Sequence, residues 1–317
     1  MTGAGAPGGP GILKSLKAEA TFRVLAADMD PLASGRFLHD RFCQLPAANA
    51  PDFIEVLKQG CRDNEIDVLL PLVTRELFLL AEHRDAFAQF GTKVLVSQRG
   101  AMDQVNDKGR LYDALKMHGF PCPQYRVVDK ADDLLEQVAV FNDAGQACVI
   151  KPCVGNGSRG IRVISSDVDR FQMLFEHKPN SLYMSPSELK LVVKGRDIPQ
   201  MVVSEHLPGE EVTVDTLNND GQVELVLIRR RTKMSGGISV SGQFIRNQQI
   251  ETLVRGISEV IPGLNGPIGF QLKQNAEGFY HLIESNPRIQ GTSVAAAGLG
   301  LFRRVSPLRA HASRLMA

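Results

Sequence analysis

The chain has 317 residues, of which 43% are hydrophobic, enough for two or three domains with apolar cores. Its formal net charge of +1 provides no overall attraction for nucleic acid or an anionic membrane, and no run approaches the ~18 apolar residues of a membrane span, so we expect a cytoplasmic protein whose partners are small molecules. The five cysteines form no Cys-x-x-Cys pair and the seven histidines no His-x-x-x-His pair, which argues against a disulfide framework, structural zinc and a zinc hydrolase.

The first hundred residues alternate helical and extended patterns. Helices are predicted over residues 12–19, 53–63 and 75–87, and strands over 22–27, 67–71 and 93–96. Alternation of this kind is typical of a parallel sheet covered by helices.

A glycine turn opens the first helix. Gly3, Gly5 and Gly8 match the G-x-G-x-x-G pattern, and Asp28 follows about twenty residues later, as in dinucleotide-binding units. That motif requires a preceding strand, and only Met1 and Thr2 precede Gly3, so either the true start lies upstream or the sheet has lost its first strand. A nicotinamide-dependent oxidoreductase is therefore a less favoured alternative.

A new domain is predicted to begin near residue 101. Asn106 and Asp107 can cap a helix over 108–118, and a further helix is predicted over 131–143. Strands over 147–151 and 161–164 flank a glycine-rich loop whose backbone N–H groups can approach an anion closely. The loop is either a flap over phosphates or a plain surface hairpin.

The next stretch is predicted to contain helices over 168–175 and 186–193 and strands over 201–205, 211–217 and 222–228. The basic run 229–233 and the following Ser235–Gly237 loop are expected to interrupt regular structure. This run is either a solvated face or a site that neutralises an anionic substrate.

Oxygen-bearing side chains converge in a predicted hairpin over 268–285. With a two-residue turn, Gln271 lies diagonally across from Glu284, and Asn286 shares the face of Glu284. A longer loop would turn Gln271 away. One carboxylate and two carboxamides suit magnesium beside a bound phosphate, and Arg288 adds a fork for phosphate or carboxylate. An ordinary polar strand end is the alternative.

The order of these features resembles the ATP-grasp superfamily over about residues 1–300, and in particular single-unit relatives of the carbamoyl phosphate synthetase large subunit. The resemblance implies an α/β and α+β protein. Residues 1–100 would form a Rossmann-like pre-ATP-grasp domain, 101–200 and 201–300 the two α+β subdomains of an ATP-grasp fold, and 301–317 a basic tail.

The resemblance also implies roles for individual residues. Lys108 and Lys151 would contact ATP phosphates, Glu211 the ribose, and Arg288 the transferred phosphate. The remaining assignments are a flap (Gly155, Gly157, Ser158, Arg159, Gly160), an adenine hinge (Glu205, His206, Leu207), ligands for magnesium or manganese (Gln271, Glu284, Asn286) and a grip on the carboxylate substrate (Arg231, Lys233).

The activity that the resemblance implies is an ATP-dependent ligase that phosphorylates a carboxylate and lets an amine or ammonia attack the acyl phosphate. The substrates would be a small carboxylate and an amine, without nucleic acid or membrane, and a homo-oligomer is left open. A nucleotide-binding module without turnover is the main alternative.

Overall fold

The computed structural model describes residues 1–20, 22–38, 41–155, 159–175, 182–235 and 238–297. The predictions for Gly157, Ser158, the loop residues Gly236 and Gly237 and the tail over 301–317 lie outside these ranges. The described elements fall into an N-terminal domain and two five-stranded sheets with their helices.

The N-terminal domain alternates helices and short strands, as predicted. Its elements are α1 (Gly9–Lys17), β1 (Ala26–Asp28), β2 (Phe42–Gln44), α2 (Phe53–Asp63), β3 (Val68–Leu69), α3 (Thr74–Glu82), α4 (Arg84–Ala88) and β4 (Lys93–Val94). β1 pairs with β2 and β3 with β4, both in parallel. Helix α2 forms because Phe53, Ile54, Leu57 and Cys61 repeat at helical spacing and become its buried face.

Residues 1–4 lie between the two pairs of strands. The Ala4 N–H donates to the Ala27 carbonyl and the Thr2 N–H to the Leu70 carbonyl, each at 3.1 Å. This segment bridges the two strand pairs through backbone hydrogen bonds without forming a regular strand of its own.

The middle of the chain builds the first five-stranded sheet, in the order β5-β9-β6-β7-β8. The Asp107 side chain accepts the Arg110 N–H at 3.0 Å, which caps the helix that follows, as predicted. The elements are α5 (Arg99–Val105), α6 (Lys108–Met117), β5 (Tyr125–Val128), α7 (Ala131–Asp143), β6 (Cys148–Pro152), β7 (Arg162–Ile164), α8 (Arg170–Phe175), β8 (Tyr183–Met184), α9 (Pro186–Val193) and β9 (Met201–Glu205).

The second five-stranded sheet is antiparallel, in the order β12-β11-β10-β13-β14. Its elements are β10 (Glu211–Asn219), β11 (Gln222–Ser235), β12 (Ile238–Ile245), α10 (Gln248–Val260), β13 (Gly266–Gln274), β14 (Tyr280–Asn286) and α11 (Val294–Ala297). Helix α10 packs Ile250, Val254 and Ile257 into the core beneath this sheet.

Two predictions about this region need correction. Strand β9 pairs with β5 and β6, so it belongs to the first sheet, and the change between sheets falls after Glu205 rather than at residue 201. Strand β11 continues through the basic run, because Arg229 and Arg231 point to the face that carries acidic partners on β10. Their charges are compensated there, so the basic run 229–233 does not interrupt β11, which is regular as far as Ser235.

Within the described residues, none of the helices combines the length and the apolar character needed to cross a lipid bilayer.

Candidate active site

A cavity of about 1590 Å³ lies where the two five-stranded sheets meet the N-terminal domain. Most residues predicted for the site line this one volume, although they come from distant parts of the chain. They are Lys108, Lys151, Arg159, Glu205, His206, Leu207, Glu211, Arg231, Gln271, Glu284, Asn286 and Arg288.

The hairpin of β13 and β14 carries the predicted metal ligands in a register different from the expected one. Gln274 pairs with Tyr280, so the loop is longer than two residues, but a bulge then places Gln271 directly opposite Glu284. The diagonal placement was wrong, and the bulge restores Gln271 to the face of Glu284. Gln271, Glu284 and Asn286 all line the cavity.

The bulge at Ile283 also links the two sheets. The Ile283 carbonyl accepts hydrogen bonds from the Tyr112 hydroxyl at 3.0 Å and from Lys151 Nζ at 3.2 Å. Lys151 Nζ lies 2.7 Å from the same hydroxyl. Helix α6, strand β6 and strand β14 therefore meet at one backbone carbonyl, next to Glu284.

The two predicted phosphate lysines are both buried. Lys108 Nζ lies 3.2 Å from the Glu284 carboxylate and 3.3 Å from the Gly155 carbonyl. Burial lowers the pKa of Lys151 to about 8, and the nearby charge of Lys108 acts in the same direction. A phosphate bound here would meet two cations that lack the shielding of bulk water.

The donor chemistry of the hairpin fits magnesium. Gln271, Glu284 and Asn286 offer hard oxygen atoms with one negative charge, as expected of an ion that shares its coordination with waters and phosphate. Among the described residues, no group of three or more His, Cys, Asp or Glu side chains could hold a metal ion. A metal here therefore depends on carboxamide oxygens as well as on Glu284.

The end of β9 forms the rear of the cavity. The Glu205 N–H donates to the Gln124 carbonyl at 2.9 Å, and the Gln124 N–H donates to the Glu205 carboxylate at 3.1 Å. His206 follows, and burial lowers its pKa. The chain then crosses to the second sheet, so Glu205 ends β9 and His206 and Leu207 lie in the connection between the two sheets.

Glu211 and Arg231 lie on neighbouring strands and form an ion pair. Their charged atoms are 2.6 Å apart, and Arg231 Nε also donates to the Thr213 hydroxyl at 2.8 Å. Both side chains line the cavity. From the sequence, Glu211 was predicted to bind the ribose and Arg231 the carboxylate substrate, whereas in the structure the two side chains are paired with each other.

Arg288 reaches from the end of β14 to the N-terminal domain. Its Nε donates to the Thr74 hydroxyl at 2.9 Å, and its Nη1 donates to the Ile289 carbonyl at 2.9 Å. Burial lowers its pKa, and Glu284 acts against that shift. The guanidinium is thus fixed at the cavity wall by two acceptors.

The glycine-rich loop is described only at its two ends. Arg159 lines the cavity, whereas Gly155 and Gly160 do not. Gly160 has φ of 74°, and a Cβ there would lie 2.7 Å from the Pro152 ring, so glycine is required for the turn. Gly155 contributes its carbonyl to Lys108.

Lys233 is another predicted site residue that does not belong to the cavity wall. Its side chain is exposed on β11 and does not line the cavity. Register shifts occur on both sides of Lys233 in the pairing with β12, so its side chain does not follow a simple alternation along β11. Its assignment as a grip for the substrate is therefore not kept.

A buried polar cluster beside the cavity was not predicted. Arg229 and Asp215 lie 3.5 Å apart with side chains only 4% exposed. Ser293 donates to Asp215 at 2.5 Å, and Arg229 donates to the Thr292 hydroxyl at 2.8 Å. This cluster fixes residues 290–293 against the second sheet. The signal in the sequence was an acidic residue and a basic residue on two strands predicted to be neighbours. Whether their side chains meet depends on the register of the two strands.

Other cavity residues were also missed. Tyr112 supports the cavity from α6, four residues after Lys108, while Lys273, Thr74 and Glu76 line its wall. Helical spacing from Lys108 was a signal for Tyr112. Nothing local marked Thr74 or Glu76, because they belong to a different domain.

The glycine turn serves packing between domains. Gly8 has φ of 85°, and a Cβ there would lie 2.2 Å from the Gly291 carbonyl oxygen. The Gly5 N–H donates to the Asp28 carboxylate at 2.8 Å. The close approach that a dinucleotide pyrophosphate would need is thus made by Gly291, and Asp28 holds the turn. This arrangement speaks against the oxidoreductase alternative.

Two family models match the chain. "ATP-grasp in the biosynthetic pathway with Ter operon" matches residues 197–301, and "PylC-like, N-terminal domain" matches residues 10–95. The carbamoyl phosphate synthase large chain of Vibrio cholerae is 24% identical over 263 residues, which are 77% of this chain and 22% of that protein.

Solved structures share the fold. N5-carboxyaminoimidazole synthetase from Staphylococcus aureus, complexed with ADP, has a TM-score of 0.61 at 15% identity, covering 91% of this chain and 69% of that one. L-amino acid ligase from Bacillus licheniformis has a TM-score of 0.60 at 17% identity, covering 90% and 66%. The chain therefore has the ATP-grasp fold, and the predicted fold class is confirmed.

The chain is thus similar in sequence to part of the carbamoyl phosphate synthase large chain, which agrees with the resemblance seen in its motifs. It spans about a fifth of that protein's length, 22% in the match above.

Proposed function

We propose that this protein is an ATP-dependent ligase that joins a carboxylate to an amine or ammonia through an acyl phosphate. The observation that carries the proposal is the convergence of Lys108, Lys151, Glu211, Glu284 and Arg288 on one cavity. These residues come from both subdomains of the fold. Phosphoryl transfer depends mainly on positioning and charge neutralisation, which a cavity of this composition supplies.

ATP is proposed to lie between the two five-stranded sheets. Its phosphates would be bound by Lys108 and Lys151. The adenine would lie against the backbone of residues 203–207, where β9 ends. The Glu211 carboxylate is suited to accept hydrogen bonds from the ribose hydroxyls. It would then interact with both the ribose and Arg231.

Magnesium is the metal proposed for the hairpin, with Gln271, Glu284 and Asn286 as its protein ligands. When bound, it would neutralise phosphate charge and so stabilise the transferring phosphoryl group. Glu284 then has two tasks, because its carboxylate also lies beside Lys108. Manganese in a parallel assay would test whether the site accepts a second hard cation.

The carboxylate substrate is proposed to lie between Arg288 and Arg231. Each guanidinium offers a planar fork that matches a carboxylate. Arg288 is held by Thr74 and would face the phosphate that is transferred. Phosphate activates the carboxylate, so no covalent intermediate with the protein is required, and the cavity would hold the acyl phosphate away from water.

The test is ADP release against a panel of carboxylates, each with and without a panel of amines, at saturating ATP and magnesium. The expected result is release that requires both partners of one pair. Hydroxylamine in place of the amine would trap the acyl phosphate as a hydroxamate. ADP release that no carboxylate stimulates would overturn the proposal, and tight binding of magnesium-ATP in the same protein would then support a binding module without turnover.

A further inference from the structure

One buried hydroxyl beside the cavity has no role in the proposed binding of ATP, metal or carboxylate. Tyr112 lies on α6, and its side chain is fully buried. It does not line the cavity, so its hydroxyl is out of reach of a bound ligand. Any effect of this hydroxyl on ligand binding must therefore pass through the groups that it contacts.

The Tyr112 hydroxyl contacts two residues that do line the cavity. Lys151 Nζ donates to it at 2.7 Å, and the hydroxyl donates to the Ile283 carbonyl at 3.0 Å. Lys151 Nζ also donates to this carbonyl, at 3.2 Å, so the ammonium, the hydroxyl and the carbonyl form a closed triangle. The donors follow from chemistry, because an ammonium cannot accept a hydrogen bond and a carbonyl cannot donate one.

The Ile283 carbonyl fixes the direction of the hydroxyl. The hydroxyl proton points to the carbonyl, which leaves the oxygen lone pairs for the Lys151 ammonium. Burial raises the pKa of Tyr112 well above its usual value, so the hydroxyl keeps this proton. Since Ile283 is the bulged residue of β14, the position of Lys151 on β6 is tied to the backbone of the second sheet.

Lys151 depends on these neutral oxygens more than the other phosphate lysine does. Lys108 Nζ lies 3.2 Å from the Glu284 carboxylate. Among the residues that the structure describes, Lys151 has no carboxylate at ion-pair distance, and its hydrogen-bond acceptors are the Tyr112 hydroxyl and the Ile283 carbonyl. A buried ammonium needs such acceptors, because burial of an uncompensated charge is costly.

The triangle also sets the direction from which Lys151 can bind an anion. An ammonium has three N–H groups, and the hydroxyl and the carbonyl take two of them. The third N–H remains for a phosphate oxygen. Its direction is determined by the other two, so a change in either acceptor moves the charge that faces the phosphates.

We propose that Tyr112 is a positioning residue for ATP, because its hydroxyl holds the Lys151 ammonium toward the phosphates. This inference rests on the proposed ATP site and adds to it a residue that the ligand does not touch. Without the hydroxyl, Lys151 keeps only the Ile283 carbonyl as an acceptor. Its ammonium is then less well stabilised in the charged form and free to turn away from the phosphates.

The experiment is a double-mutant cycle on the affinity for magnesium-ATP, measured by calorimetric titration so that no turnover is required. The wild-type protein, Tyr112→Phe, Lys151→Met and the double variant are compared. Phenylalanine keeps the aromatic ring, whose centroid lies 5.0 Å from that of Tyr125 and 5.2 Å from Lys151 Nζ. Only the hydroxyl is lost.

Tyr125→Phe is the matched control. It removes the hydroxyl from the other ring of the same aromatic pair. That hydroxyl donates to Asp113 at 2.5 Å, and neither Tyr125 nor Asp113 lines the cavity. Thermal unfolding of each variant shows whether it is folded.

Tyr112→Phe should raise the dissociation constant of magnesium-ATP by about 10-fold, the effect of losing one hydrogen bond to a charged group. Tyr125→Phe should bind as the wild type does. In the Lys151→Met background, removal of the Tyr112 hydroxyl should change the dissociation constant by less than about 2-fold, because no ammonium is left for it to hold.

Two results would overturn the role of Tyr112 while the ATP site stands. One is unchanged or tighter binding by folded Tyr112→Phe. The other is an equal loss of affinity with Lys151 and with Met at position 151, since the hydroxyl would then act through general packing.

The outcomes for the ligase are separate from these. If the expected cycle is observed but no carboxylate stimulates ADP release, the ligase function fails and the role of Tyr112 in ATP binding stands. If the wild-type protein does not bind magnesium-ATP, the proposed ATP site and the role of Tyr112 are both rejected.

Discussion

Arg288 and Thr74 are 214 residues apart in sequence, yet the Nε of Arg288 donates a 2.9 Å hydrogen bond to the Thr74 hydroxyl. This bond joins the end of the hairpin of β13 and β14 to the first turn of α3 in the N-terminal domain. The guanidinium is mostly buried, and its second described acceptor is the Ile289 carbonyl. Its orientation toward the cavity therefore depends on a residue outside the two ATP-grasp subdomains.

Thr74→Val should lower kcat by about 10-fold, because a hydrogen bond to a charged group contributes about 1.5–3 kcal/mol and Arg288 would lose part of its orientation. The KM for ATP should change little, since Arg288 is not assigned to the adenosine. Steady-state ADP release with varied ATP measures both quantities. Thr74→Ser keeps the hydroxyl and should restore most of kcat; equal kcat values for the valine and serine variants would contradict the prediction.

Elements with strong local signals were predictable from sequence. The helices over 53–63, 131–143 and 186–193 and the strand over 201–205 have the predicted bounds. The helix over 186–193, for instance, begins with a capping box between Ser185 and Glu188. Helix α10 was missed, although Asn247 caps it and its buried residues follow helical spacing. The local sequence was sufficient to predict this helix, but the signal was overlooked.

Other features could not be obtained from sequence because they depend on register or on contacts between domains. The bulge at Ile283 is one example, because the Ile283 carbonyl accepts hydrogen bonds from Tyr112 and Lys151, which belong to other elements. The pairing of Arg229 with Asp215 is another. Residue types at the site were therefore predictable, whereas the contacts that orient them were not.

Glu284→Ala should reduce turnover by at least about 100-fold, because the proposed metal loses its anionic ligand and buried Lys108 loses its partner. ADP release across a range of magnesium concentrations measures the effect. Glu210→Ala is the matched control, because Glu210 is also paired with an arginine, Arg230, but does not line the cavity. Turnover of the Glu284 variant at the level of the control would remove Glu284 from the site.

The affinity for ATP should fall as the pH rises above about 8, because Lys151 in the free protein has a pKa of about 8. Below that pH the lysine is already charged; above it, phosphate binding must take up a proton, and the dissociation constant rises by up to about 10-fold per pH unit. Calorimetric titration with ATP across this pH range tests whether the affinity falls as the pH rises. Lys151→Met should bind weakly with a flat profile, and exposed Lys116→Met should follow the wild-type curve; a flat wild-type profile would be evidence against the proposed contact.

Gly8→Ala should destabilise the protein more than Gly91→Ala does. Both glycines have left-handed backbones, with φ of 85° and 87°, so alanine costs each about 1–2 kcal/mol of backbone strain. At Gly91 the added Cβ meets nothing within 4 Å, whereas at Gly8 it meets the Gly291 carbonyl oxygen at 2.2 Å. Overpacking adds about 1–3 kcal/mol at Gly8 alone. Urea unfolding of both variants isolates this difference, and equal losses would mean that the N-terminal turn does not pack on residue 291 as described.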